Sequence, residues 1–303
     1  MLNALLSQRA FPVHIRGYYL EAPLPDVFIG EICLLWQDVT CRVLLGRAQV
    51  VGFNEHNTLL SLIGQAAGLT LTTVIAPTGS AVTLTFTPQI PGSVIDPSGN
   101  TLARLSEITE PDNRSIIRPV SGEVPDVLSR QRITEILPTG VKAIDALLTC
   151  GKGQRLGIFA GAGCGKTVLM NMLIEHAQAD IFVIALIGER GREVTELIDE
   201  LRNSPQAAKC ILVCSTSDKP AVDRCNAALV ATSLAEYYRD RTLLAKQKEL
   251  KLLVELGEYK PGLNAESDKA VELTLPMRHF LCQSPAESVA ADETGRLLEQ
   301  LTQ

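Results

Sequence analysis

The sequence predicts an α/β protein with a small N-terminal β-barrel, a central parallel-sheet domain that is truncated, and a short helical C-terminal region. Three observations carry this expectation. Short β-patterned segments fill residues 12 to about 95, apolar strands alternate with helical spacing from residue 136 onward, and the apolar period is again helical over 241–256.

The chain has 303 residues, 46% hydrophobic and 20% charged, which supplies a core and suggests about two domains. Aromatics make up only 4%, so the core is expected to be built from Leu, Ile, Val and Ala. A net charge of −6 argues against nucleic acid as a dominant partner, because phosphate backbones favour basic faces. The eight cysteines form no Cys-x-x-Cys pair and have no histidine at metal-ligand spacing. Cys33, Cys210 and Cys214 sit in apolar runs, where Cys acts as a small hydrophobe, and a reducing compartment is expected. The N-terminus lacks the basic region and long apolar core of a secretory signal. No run reaches the roughly 18 apolar residues of a membrane span, so a soluble, cytoplasmic protein is expected.

Residues 1–92 are assigned to the barrel. Segments 13–20, 26–35, 42–51 and 58–62 are short and broken by Gly, Pro and Asn. Residues 81–87 (Ala-Val-Thr-Leu-Thr-Phe-Thr) alternate with the period of two of a half-buried strand. Such strands suit a small closed barrel or sandwich. Turns follow at Pro91-Gly92 and Pro97-Ser-Gly99. Residues 93–135 read as a linker and surface segment, because the stretch is polar, carries Pro111, Pro119 and Pro125, and shows little periodicity.

Residues 136–240 form the predicted central domain. The apolar run 155–160 is expected as a strand, 167–176 as a helix, 181–187 as a strand, 193–202 as a helix and 210–214 as a strand. That alternation implies a parallel sheet covered on both faces. Asp218 is expected to cap the next helix, with Pro220 in its first turn. A helical pattern continues through 241–256 and stops at Gly257, so 241–303 is read as the helical C-terminal region.

The strongest chemical signal is Ala160-Gly161-Ala162-Gly163-Cys164-Gly165-Lys166-Thr167, which fits Walker A spacing with Ala in place of the first Gly. Glycines let the backbone curl so that its N–H groups converge on phosphate oxygens, and the following helix adds its positive dipole end. Lys166 is placed to reach the β- and γ-phosphates of ATP, and the Thr167 hydroxyl to ligate Mg²⁺. The bland alternative is a Gly-rich turn that only packs a strand on a helix. The full spacing and its flanks favour nucleotide binding.

The second signal is Gly188-Glu189-Arg190-Gly191-Arg192-Glu193, directly after the strand 181–187. Ligands gather at the carboxyl ends of parallel strands, so Glu189 shares a rim with the P-loop. There it could orient and deprotonate water, while Arg190 could spread charge developing on the γ-phosphate. Solvated turn charges are the ordinary reading of such a loop, and the neighbouring P-loop reverses that preference.

These motifs, with Leu137-Pro-Thr-Gly140, Thr216-Ser-Asp218, Ala235-Glu-Tyr-Tyr-Arg-Asp240 and Leu256-Gly-Glu-Tyr-Lys-Pro-Gly262, closely resemble the ATPases of type III secretion injectisomes. Those proteins are relatives of the flagellar export ATPase and the ATP synthase β subunit. The resemblance implies a RecA-like central domain and a homo-hexameric ring that hydrolyses ATP at subunit interfaces. It implies stalk and stator partners, chaperone–effector complexes as clients, and a peripheral place at the cytoplasmic face of the inner membrane. A flagellar export ATPase shares much of the pattern.

The chain also departs from that family. Relatives continue after a segment like 235–240 into the Walker B strand, the rest of the sheet and an arginine finger. This chain passes at once into Arg241-Thr-Leu-Leu-Ala-Lys246, which resembles the start of the C-terminal region. Leu252-Leu-Val-Glu255 imitates a Walker B strand, but Leu250, Leu253 and Leu256 have helical spacing. An internal deletion is therefore expected, and with it an alternative function as a nucleotide-binding but catalytically impaired ring or docking component.

Overall fold

The computed structural model describes residues 9–107, 115–122, 132–161, 163–177 and 179–255. The barrel consists of β1 (His14–Arg16), β2 (Tyr19–Ala22), β3 (Glu31–Trp36), β4 (Leu44–Phe53), β5 (Thr58–Ile63) and β6 (Val74–Ala81). They form one antiparallel sheet in the order β1-β2-β5-β4-β3-β6. A bridge between Ala10 and Ile75 joins the chain ahead of β1 to β6 and brings the two edges together. Alternate side chains point inward, as the regular alternation of buried residues along β3 shows. Leu20, Cys33, Leu35, Val50, Leu60 and Ile75 fill the interior. Glu31 is buried beside them and stays satisfied, accepting the Gly79 N–H at 2.7 Å and the Phe28 N–H at 3.2 Å.

The alternating segment at 81–87 becomes β7 (Thr83–Phe86), yet it lies outside the barrel. The linker assigned to 93–135 is corrected in part. Its residues include β8 (Ser93–Ile95) and β9 (Thr101–Arg104), which belong to the central sheet, and β10 (Ile116–Pro119), which pairs antiparallel with β7. The remaining elements are β11 (Ile136–Leu137), α1 (Lys142–Leu147), β12 (Cys150–Gly151), α2 (Lys166–His176), β13 (Phe182–Ile187), α3 (Gly191–Arg202), β14 (Cys210–Ser215) and α4 (Ala221–Glu255). The central sheet runs β13-β14-β8-β9, parallel from β13 through β8 and antiparallel at β9.

Every residue of β14 is buried, as expected for a strand covered on both faces. Ile211 and Val213 pack with Ala227, Val230 and Leu234 of α4. Cys210, Leu212 and Cys214 face the other way, into a cluster with Ile174 of α2 and Val194, Leu197 and Leu201 of α3. Burial pushes the Cys33 thiol up to about 12 and those of Cys210 and Cys214 to about 11, so they behave as packing groups. The two helical stretches predicted around 220–239 and 241–256 are one continuous helix, α4, of 35 residues. Its stretch at 252–255 is helical, which agrees with the helical spacing rather than a substitute Walker B strand. Residues 256–303 of the expected C-terminal region lie outside the described residues.

The run 155–160 differs from expectation: it is extended chain, and among the described residues it pairs with no strand. Leu156, Ile158 and Phe159 are exposed, Phe159 to 95%. A strand needs a neighbour to satisfy its N–H and C=O groups. Helix α2 has the same shortfall. Its sequence is apolar on most sides, a pattern suited to burial all round, but Val168 stays 63% exposed.

The barrel is tied to α4 by polar contacts rather than by a broad apolar seam. Asp223, in the first turn of α4, accepts the Gly64 N–H at 2.8 Å, and Asn226 donates to Gln49 at 2.9 Å. Asp223 is buried, and among the described residues its second carboxylate oxygen has no partner. Burial raises the Asp223 pKa despite the Gly64 N–H, so the charged form is disfavoured in the fold. The folded pKa lies above the unfolded one. This group's contribution to stability is therefore full below the ordinary carboxylate pKa and is lost as pH rises through the folded value.

Two predictions follow from these features. In thermal melts across acid to neutral pH, Asp223→Asn flattens the pH dependence of Tm. Asp223→Ala, which also removes the acceptor for Gly64, costs about 1–3 kcal/mol. A native-like slope in the Asn variant would place the titrating group elsewhere. Replacing the exposed Phe159 by Ser lowers aggregation in light scattering while moving stability by no more than about 0.5 kcal/mol. A large loss of Tm would show that Phe159 packs in solution.

Candidate functional site

The P-loop connects the extended run 155–160 to α2. Gly163 and Gly165 have φ of +76° and +83°, left-handed values that glycine adopts without a Cβ penalty. Among the described residues, a Cβ at either position would meet nothing within 4 Å. The Cys164 N–H bonds the Gly161 carbonyl at 3.3 Å, which tightens the turn, and Gly165 caps α2. No acidic side chain occupies the first turn of α2 itself. Lys166 and Thr167 lie in that first turn and are exposed. Ala162 lies outside the described residues.

The Glu189 loop reaches the same place from the sheet. Gly188 has φ +74° and donates its N–H to the Ser215 carbonyl at 2.7 Å. The Ser217 N–H donates to the Glu189 carbonyl at 3.1 Å. These bonds tie the carboxyl ends of β13 and β14 together. They aim the Glu189 side chain at Lys166, whose ammonium lies 3.4 Å from a Glu189 oxygen. Arg190 is the exposed N-cap residue of α3. The structure thus brings Gly161, Gly163, Cys164, Gly165, Lys166, Thr167 and Glu189 to one rim, with Arg190 adjacent in the chain.

Sequence reasoning missed the contacts that hold the rim. Gly140 has φ +72°, and a Cβ there would stand 2.5 Å from His176 Cβ and 2.8 Å from the His176 carbonyl oxygen. The turn before α1 thus fits against the far end of α2. Asp145 fixes that turn by accepting the Thr139 N–H, the Thr139 hydroxyl and the Gly140 N–H at 2.7–2.9 Å. Asn171 of α2 donates to Glu200 of α3 at 2.6 Å. Asp218 accepts from the Thr216 hydroxyl at 2.5 Å, and that bond, with its own backbone N–H, holds its carboxyl below the usual range. Asp145 and Asp218 read in the sequence as capping or turn residues at the nucleotide end of the sheet, but their partners could not be read there.

The donor set suits a polyphosphate with a magnesium ion. It combines glycine N–H groups, a helix N-terminus, an ammonium and a hydroxyl, with open space where a Cβ would intrude. Among the described residues, no three His, Cys, Asp or Glu side chains gather as a metal cluster.

Fold and site together define an α/β protein of the P-loop class. Residues 140–245 match the ATP synthase alpha/beta family, nucleotide-binding domain, and residues 232–300 match the T3SS EscN ATPase C-terminal domain. The chain belongs to the type III secretion system ATPase family. It is 51% identical over 237 residues to the SPI-1 type 3 secretion system ATPase of Salmonella typhi, covering 78% of this chain and 54% of that one. The flagellum-specific ATP synthase of Bacillus subtilis is 39% identical over 232 residues, covering 75% and 51%. The assembled ATPase EscN of enteropathogenic E. coli superposes with a TM-score of 0.65 at 31% identity, covering 95% of this chain and 74% of that one. A further solved structure holds EscN with its central stalk EscO. The chain spans about half the length of the curated relatives it matches. The two matched stretches overlap at 232–245. Among the described residues, no helix is long and apolar enough to cross a membrane.

Gly140→Ala tests the support beneath the P-loop helix. The left-handed backbone alone costs about 1–2 kcal/mol, and the contact with the His176 backbone adds to it, so Tm falls. An unchanged Tm would mean that the turn does not press on α2.

Proposed function

We propose that this chain binds ATP with Mg²⁺ at Gly161–Thr167 and hydrolyses it as a subunit of a type III protein secretion apparatus. The observation that carries the reading is the meeting of Lys166 and Glu189 at 3.4 Å on one rim, from two separate motifs. Glycine N–H groups and the start of α2 hold the phosphates, and Lys166 neutralises the outer ones. The Thr167 hydroxyl holds the magnesium ion, which when bound screens phosphate charge. Glu189 orients an attacking water and takes its proton, and Arg190 supports charge on the outer phosphate. Family membership supports a homo-hexameric ring, stalk and stator partners, and chaperone–effector complexes as clients. It also supports a peripheral position at the cytoplasmic face of the inner membrane.

A second reading, binding without efficient turnover, draws on the unpaired run 155–160 and the exposed side of α2. An arginine finger contributes about 10³–10⁵ in rate, and the stretch that carries it in relatives is not in this chain. Steady-state ATP turnover of ring fractions, compared with Lys166→Ala, separates the two readings. The variant is expected to lose about 10²-fold or more. Equal rates in both proteins would remove the hydrolysis proposal, and nucleotide binding without turnover would establish the second reading.

A further inference from the structure

The Lys166–Glu189 ion pair links two groups that the nucleotide reading gives separate tasks. The ammonium is the partner of the outer phosphates, and the carboxylate is the base. Among the described residues, Lys166 and Glu189 each make this ion pair and no other. We propose that polyphosphate and the Glu189 carboxylate compete for the Lys166 ammonium. Seating the nucleotide and freeing the base are then a single exchange. The inference rests on the reading of this rim as a nucleotide site.

The geometry suits such an exchange. The Glu189 backbone is fixed by the bonds Gly188 N–H to Ser215 and Ser217 N–H to Glu189, so release needs only side-chain rotation. Both side chains are partly open, 56% for Lys166 and 39% for Glu189, so the pair is weak enough to be broken by a ligand. A polyphosphate brings more charge than one carboxylate and adds bonds to the P-loop N–H groups and the start of α2, so it wins the ammonium. Coupling of this kind is reciprocal. Whatever holds Glu189 on Lys166 weakens nucleotide binding by the same factor.

The test uses the full chain, fluorescent ATP and ADP analogues, and low-salt buffer, with circular dichroism confirming that each variant is folded. Glu189→Asp keeps the negative charge on the rim but shortens the reach by one methylene, which breaks a contact already at 3.4 Å. It is expected to tighten ATP and ADP binding by about two- to fivefold, the span of an exposed ion pair. Glu189→Gln is expected to tighten binding at least as much. Suppose instead that Glu189→Asp binds no tighter than the native chain while Lys166→Ala binds more weakly. The exchange is then wrong and the nucleotide site stands, including where Glu189→Gln alone gains through loss of charge. If Lys166→Ala binds as well as the native chain, or the native chain does not bind, the nucleotide reading falls and the exchange falls with it.

Discussion

Strand β14 is the constraint on which the rest of the central domain rests. It is buried along its whole length and hydrogen-bonded on both edges, to β13 and β8. One face organises α4, and the other organises α2 and α3. Its carboxyl end then hands over the bonds that set the Glu189 loop. A polar or bulky change in this strand would therefore disturb core and rim together, because interiors are packed without slack.

How legible this was depended on how local the signal was. The P-loop could be read directly, since its glycines, Lys166 and Thr167 form a contiguous pattern with a backbone reason for each. The place of Glu189 beside Lys166 was legible from its position after an apolar strand, and Arg190 follows it in the chain. β8 and β9 were not, because strands of three and four residues between Pro and Gly turns look like linker until the sheet recruits them. β10 was equally hidden. Its four residues are all exposed, show no alternation and end in Pro119. The bond between Asp223 and Gly64 spans 159 positions, and no local pattern announces such a contact.

The opposite error, at 155–160, is equally instructive. The run has the composition of a strand, and composition was a sound guide to what the segment wants. What it lacks is a neighbour. The contrast with α3 makes the point within one domain. α3 is amphipathic and buries Val194, Leu197 and Leu201 of its apolar side, with Ile198 partly covered. α2 is apolar on more sides than the sheet can cover, and only Ile174 is fully taken up. Strand-like composition and an all-round apolar helix thus meet a sheet that covers only part of them.

The continuous helix α4 has a mechanical consequence. Its first half is clamped to the sheet through Ala227, Val230, Leu234 and Tyr237, and the backbone runs on without interruption to Glu255. At about 1.5 Å per residue, that is a rigid rod on the order of 50 Å long. The stretch beyond the clamp, from Tyr237 to Glu255, is roughly 27 Å of that, so a tilt of about 10° there would swing the distal end through roughly 5 Å. Any tilt of the packed half would thus be carried to the far end of the helix without any change in the helix itself.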